Sequence, residues 1–475
     1  MVCLFVAILI LRTIRFASRQ IQVSPAREII FDAVALKRLS LAIQHKTISK
    51  QNLTAEGGAE FQRLHKFLSD SFPAIHTHLA REVIGGYSLL YTWKGTNESL
   101  KPLLLMGHID VVPVDPGSEK TWTHPPFSGE IAAGYIWGRG TMDDKVSVLA
   151  ILEAVQHLLA TGFQPQRTLY LAFGHDEETG GARGAGKIAS LLHSRQVELE
   201  YVLDEGGNIT DGLVPGVAAP VALIGIAEKG YLSLELGVES AGGHSSTPPA
   251  RTAIGILSSA IHKLDESPFP SRLPQPTRSF LQFIGPEMSW PQRIIPANLW
   301  LFEPLIESQF AKSTASNAMI RTTQAATIFQ AGVKENVLPT TARAVVNLRL
   351  VTGDTIQGVV DRVRRVIDDP QTKITPLPVQ VEPSPVSGPD SARFKLIQRT
   401  LKEIMPEAKV APFLLVATTD SRHYQILTNN IFRFLPITIR PEDIQRYHGI
   451  NERIAVKDYE RCVRFFVQLI RNSQS

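Results

Sequence analysis

Only two cysteines, Cys3 and Cys462, occur in 475 residues. That count excludes a disulfide framework and a cysteine-rich zinc site, so any metal must be held by His, Asp and Glu. A strong charge imbalance is also missing. Lys+Arg total 49 against 45 Asp+Glu, a formal net charge of +4, and there is no dense basic tract. No nucleic-acid partner is expected from such a balance. The apolar run that opens the chain, Val2 to Leu11, is ten residues long, about half of the ~20 that a spanning helix needs. It fits a signal-peptide core better than a membrane anchor, although a basic start and a small-x-small cleavage site are both lacking. Residues 1–24 are therefore read as a signal peptide or N-terminal hydrophobic segment, and a secreted or secretory-pathway protein is expected. Three N-x-Ser/Thr acceptors, at Asn52, Asn97 and Asn208, agree with that location.

What is present suits a globular protein of two domains: 44% hydrophobic and 20% charged residues over this length. Residues 27–49 and 57–71 have helical spacing. "SLLYTW" and "PLLLMGHIDVV" read as strands, the second nearly continuous and so buried on both faces. "DDKVSVLAILEAVQHLLATG" reads as a helix with Gly162 just past its end. "RTLYLAFGHDEE" is a strand, "GARGAGKIASLLHSR" a helix and "LEYVLDEGG" a strand. This alternation predicts an α/β fold with a mainly parallel sheet flanked by helices. From about residue 230 the order becomes βαββαβ, interrupted by a Pro-rich irregular insert at 268–305. That order predicts a ferredoxin-like α+β unit at 230–382. Residues 25–229 and 383–475 would form the other domain.

The acidic and histidine clusters fall at the ends of the apolar strands. His108 and Asp110 in "MGHIDVVP" are two apart, so they point to one side, and a carboxylate there can orient a metal-binding imidazole. Asp143 and Asp144 in "GRGTMDDK" lie at a Gly-rich turn before a helix, where negative charge is favoured in any case. Glu177 and Glu178 in "GHDEETGG" are adjacent carboxylates that repel unless a cation or proton compensates. Asp204 and Glu205 end another strand, and His448 sits beside a glycine in "RYHGINE". Each alone is modest. Together they mark the end of an open α/β sheet where ligands bind, and two histidines with three or four acids suit a dinuclear zinc site.

The motifs "GHIDVVP", "GRGTMDDK", "GHDEETGG", "DEGG", "GGHSSTPP", "NVLP" and "YHGINE" occur in the order of a known family. The chain resembles the dinuclear zinc amidohydrolases that include aminoacylase, glutamate carboxypeptidase, succinyl-diaminopimelate desuccinylase and vacuolar carboxypeptidase S. The likeness is greatest to the carboxypeptidase S branch. It implies two Zn2+ per subunit: His108 and Asp204 on one, Glu178 and His448 on the other, and Asp143 bridging them through a turn with a cis peptide to Asp144. It implies Asp110 as the residue behind His108, Glu177 as general base, and His244 as oxyanion stabiliser. Asn336, Arg349, Thr419 and Arg422 match positions that bind substrate polar groups. Arg349 reads equally well as an ion-pairing residue, and Thr419 and Asn336 as turn residues. The unit at 230–382 resembles the family's lid and dimerisation domain, which implies a homodimer.

The activity so implied is hydrolysis, and near equilibrium formation, of the amide bond between a fatty acyl group and an amino acid. The second reading is a dipeptide carboxypeptidase using the same metals. In either case the partner is a small N-acyl amino acid or a short peptide.

Overall fold

Along Leu103–His108 alternate side chains enter different cores: Leu103 and Leu105 join one, Leu104 and Met106 the other. Leu169–Gly174 divides in the same way, with Leu169, Leu171 and Phe173 opposite Ala172. A strand with both faces covered must be apolar throughout, which is why these segments read as continuous runs. The helices Lys145–Ala160, Ala392–Ile404 and Val456–Asn472 cover the first face, and Ala185–Ser194 covers the second. The computed structural model describes residues 1–27, 29 and 33–474. The helix expected from residue 27 is present as Ala33–Ile43, and residues 28 and 30–32 of that expectation lie outside the described residues.

Among the described residues the main sheet has ten strands. Its centre, Leu169–Gly174, Leu103–His108, Tyr201–Asp204 and Ile431–Arg433, is parallel throughout. Ala80–Ile84 and Ser88–Trp93 extend it as antiparallel edge strands. A second sheet has four antiparallel strands in the order Thr323–Ala331, Thr341–Leu350, Gly230–Glu239, Lys373–Val381. With the helices Ala253–Asp265 and Ile356–Ile367 it follows the expected βαββαβ order around its own core.

The stretch read as irregular is helical. Gln275–Ile284, Trp290–Ala297, Leu299–Phe310 and Thr314–Ala318 are α-helices. Two of them carry a proline in the first turn, where the missing N–H has no partner to lose. Phe283 and Ile284 enter the main core, while Trp290 and Trp300 remain exposed. The opening residues also form a helix, Val2–Arg15. It rests on this group: Asn298 Nδ2 donates to Leu9 O and Thr13 Oγ1, both at 3.3 Å. Among the described residues no helix is long and apolar enough to cross a membrane.

Candidate metal centre and active site

Because Leu169–Gly174, Leu103–His108 and Tyr201–Asp204 are adjacent and parallel, the residues that follow them converge at one sheet edge. His108 ends its own strand. Glu177 and Glu178 form a short 3-10 turn just beyond the second, and Glu205 follows the third. The turn before Lys145–Ala160 brings in Asp143, whose peptide to Asp144 is cis, as the family resemblance implies. Close packing sets a local requirement there. A Cβ on Gly107 would lie 2.8 Å from Asp144 Oδ2, the oxygen that accepts the His108 N–H at 3.2 Å.

Asp143 is the shared member of two groups. His108 Nε2 lies 2.9 Å from its Oδ1, and His448 Nε2 lies 3.0 Å from its Oδ2. Glu205 completes the first group and Glu178 the second, and the donor atoms of each group all lie within 4.8 Å of one another. His448 is also 3.3 Å from Glu178 Oε2. Its backbone is in the left-handed region, with φ 57°. Glu178 Oε1 is buried and has no hydrogen-bond partner among the described residues.

The electrostatics are those of a crowded anionic pocket. Burial pushes the Glu177 and Glu205 carboxyls well above their usual range, and the neighbouring carboxylate Asp143 adds to the shift in both. Burial also raises Glu178, against the opposing hydrogen bond from His448. Hydrogen bonds to Asp143 and then Glu178 push the His448 imidazole up to about 10. For His108, burial favours the neutral ring, but hydrogen bonds to Asp110 and Asp143 outweigh it and the pKa rises. Oxygen and imidazole donors, a shared carboxylate and an orphaned buried oxygen fit two divalent cations.

Of the residues expected as ligands, His108, Asp143, Glu178 and His448 fall within these groups and Asp204 does not. Asp204 stands outside both groups, and its Oδ2 accepts the Ser421 N–H at 2.9 Å. Successive side chains at a strand end point to opposite faces, so Asp204 turns into the interior and Glu205 reaches Asp143. Thr419 also faces inward. It is buried, donates its N–H to Glu228 Oε1 at 2.7 Å and exchanges a hydrogen bond with Ser421 Oγ at 2.7 Å. In this structure it touches the scaffold rather than open solvent.

Asp110 holds position behind the site, fully buried, with Oδ1 3.3 Å from His108 Nδ1. Arg422 donates to Gly180 O at 2.7 Å and Thr419 O at 3.1 Å. Arg349 lies over the Tyr231 ring, 4.7 Å from its centroid. Burial lowers the Arg349 pKa, and so does the nearby Arg422 charge. The hydrogen bonds of the two guanidiniums go to neutral acceptors, Asn347 Oδ1 for Arg349 and the Gly180 and Thr419 carbonyls for Arg422. The two-residue strands Gly243–His244 and Val337–Leu338 pair, and the Ser245 N–H donates to Asn336 O at 3.1 Å. His244 and Asn336 are thereby brought together on an exposed loop. No hydrogen bond or ion pair among the described residues joins them to the two metal-ligand groups.

Four residues escaped the sequence reading. Glu205 was in view but ranked below its neighbour. Glu452 and Arg139 form a buried ion pair at 2.5 Å, and their only signal was an acid four residues after His448. Asp420, in "TTDSRHY", is buried with neither carboxylate oxygen partnered among the described residues. The close approach of its Oδ1 excludes any side chain at Gly181, where a Cβ would lie 1.8 Å away and φ is +66°.

A profile of peptidase family M20/M25/M40 matches residues 104–472. The chain is 46% identical over 480 residues to "Probable carboxypeptidase S-like 2" of Dictyostelium discoideum, covering 98% of this chain and 91% of that protein. It is 42% identical over 448 residues to "N-fatty-acyl-amino acid synthase/hydrolase PM20D1" of Xenopus tropicalis, covering 93% and 86% respectively. Among solved structures, the M20 family metallo-carboxypeptidase Sso-CP2 from Sulfolobus solfataricus superposes with a TM-score of 0.68 at 19% identity. That match covers 93% of this chain and 99% of the other, a likeness of fold.

Proposed function

The chain belongs to peptidase family M20/M25/M40 and is a metallohydrolase of amide bonds, and we propose that it cleaves and forms the bond between a fatty acyl group and an amino acid. The observation that carries the site is Asp143, one oxygen facing His108 and the other His448, with Glu177 alongside. His108, Glu205 and Asp143 would hold one Zn2+, and Asp143, Glu178 and His448 a second. When bound, such a pair polarises the amide carbonyl and lowers the pKa of a water towards neutrality.

The chain's own residues supply the proton traffic. Glu177 takes a proton from the attacking water and returns it to the leaving nitrogen, so the C–N bond breaks as a free amine and a carboxylic acid form. His244 Nδ1 accepts the Ser246 N–H at 3.1 Å, so in the neutral ring the proton sits on Nε2, free to donate to the developing oxyanion. Arg349 and Arg422, cations hydrogen-bonded to neutral acceptors, would bind the substrate carboxylate, with Asn336 contributing beside His244. Run in reverse, the same steps join a fatty acid and an amino acid.

Support for the acyl substrate is the likeness to the Xenopus enzyme named for it. The Dictyostelium relative's name favours the second reading, a dipeptide carboxypeptidase. We further propose that residues 1–24 direct the chain into the secretory pathway and that 230–382 serves as a lid and dimerisation domain. The deciding experiment is elemental analysis of the purified protein, followed by hydrolysis of N-oleoyl-phenylalanine and of a Gly-containing dipeptide. Two zinc ions per chain and preference for the acyl amino acid are expected. Preference for the dipeptide would transfer the assignment to the carboxypeptidase reading.

A further inference from the structure

The two groups that share Asp143 are supported very differently. The His108 imidazole is 1% exposed and packed against Asp110. The His448 side chain is 55% exposed, so side-chain packing holds it only weakly, and its place is set mainly by its backbone. That backbone belongs to a loop more than 300 residues away in sequence from Asp143. Two buried residues tie the loops together. Arg139, four residues before Asp143, donates through Nη2 to His448 O at 3.0 Å and Gly449 O at 3.1 Å. Glu452, four residues after His448, accepts through Oε1 the N–H groups of Gly140 at 2.9 Å, Met142 at 2.8 Å and Asp143 at 3.3 Å. Arg139 Nη1 and Glu452 Oε2 then meet at 2.5 Å.

Each loop therefore sends one charged side chain across to hold the backbone of the other. A buried ion pair is by itself weak evidence of stabilisation. Here, however, five further hydrogen bonds end on the main chain that carries Asp143 and His448. Nothing comparable is needed by His108, whose ring is fixed from behind.

We propose that Arg139 and Glu452 are positioning residues chiefly for the Asp143–Glu178–His448 group: their crossed brace seats the His448 loop, which that group alone uses, against the Asp143 turn, which both groups share. This rests on the dinuclear reading above. Arg139→Lys is the sharpest probe. An ammonium keeps a charge for Glu452 but lacks the planar fork that reaches the carboxylate and two carbonyls at once.

The test equilibrates the full-length holoenzyme with zinc buffers of falling free concentration and counts the ions retained per chain. Thermal melting and circular dichroism confirm that each variant is folded. Expected for Arg139→Lys is loss of one ion at free zinc about 10–100-fold higher than in wild type, with the other ion shifted less, the effect typical of groups behind metal ligands. Glu452→Gln keeps the shape and an acceptor oxygen, so its shift should run in the same direction but be smaller. It also carries the test if the lysine variant does not fold. In a His448→Ala background, which already lacks that site, Arg139→Lys should cause little further loss. Both ions leaving together, or neither leaving early, would overturn the brace. A wild-type protein that retains no zinc at all would instead overturn the dinuclear reading.

Discussion

Asp110 and Glu177 are joined through the backbone: Asp110 Oδ1 accepts the Glu177 N–H at 3.2 Å. Its other oxygen accepts the Glu178 N–H at 3.1 Å, and the His108 Nδ1 lies 3.3 Å from Oδ1. One buried carboxylate thus sets the heading of His108, Glu178 and Glu177, the residues proposed as two metal ligands and the general base. A proton held at His108 Nδ1 by Asp110 would, with a metal bound, leave the Nε2 lone pair for the ion. Asp110→Asn substitutes an amide for one of these acceptor oxygens. Zinc affinity is expected to fall about 10–100-fold, and kcat should fall at saturating zinc because Glu177 is displaced. Full activity with unchanged zinc retention would exclude this role.

Glu177 and Glu178 are neighbours with opposite expected consequences. Glu177→Gln should retain two zinc ions and lose about 10²–10⁴ in kcat, the range for removing a general acid–base. Glu178→Gln should lose an ion, because Glu178 is a member of the His448 group. Metal content and kcat measured on the same preparations separate the two. A Glu177→Gln variant that keeps wild-type turnover would sink the mechanism.

Asp204 and Glu205 give the same kind of contrast one strand away. Glu205 belongs to the His108 group, whereas the Asp204 carboxylate accepts the Ser421 N–H inside the protein. Glu205→Gln is expected to lose zinc with little change in the melting temperature of the metal-free protein. Asp204→Asn is expected to lower that temperature, since an amide oxygen is a weaker acceptor than a carboxylate for the buried Ser421 N–H, a difference of about 1 kcal/mol. Zinc lost preferentially in Asp204→Asn would restore Asp204 as the ligand.

The sequence carried the parts of this molecule that depend on local pattern. Both-face burial left continuous apolar runs at Leu103–His108 and Leu169–Gly174, and the chemistry-bearing residues follow directly from those strand ends. The choice between Asp204 and Glu205 is different, because it depends on how the last residue of a strand is seated. Phe434 donates its N–H to Asp204 O at 2.8 Å, a contact from a segment about 230 residues away. Thr419 faced inward for the same kind of reason, its N–H taken by Glu228. The brace between Arg139 and Glu452 had no local pattern to betray it. Prolines misled in the opposite direction: at 268–305 they read as breaks, but Pro276 and Pro291 stand in first helical turns.

Lys229 offers a test by pH at a site apart from the metal ligands. It is 1% exposed and donates to Ala318 O at 3.0 Å, Arg321 O at 2.9 Å and Thr323 Oγ1 at 3.2 Å. Burial, helped by the charge of Arg349, pulls its pKa from an ordinary 10.5 down to about 7. Below the lower value both folded and unfolded chains carry the proton, and the burden of burying the charge is constant. Between the two values the folded lysine is neutral while the unfolded one still binds its proton, so the unfolded state holds more protons and this residue's contribution to stability rises with pH. Lys229→Met removes the titration. It also leaves two carbonyls without a donor, a penalty that does not vary with pH. The difference in urea midpoint, wild type minus Lys229→Met, is therefore expected to grow steadily across the window from about 7 to 10.5. Parallel profiles would show that the lysine keeps its ordinary pKa in the folded protein.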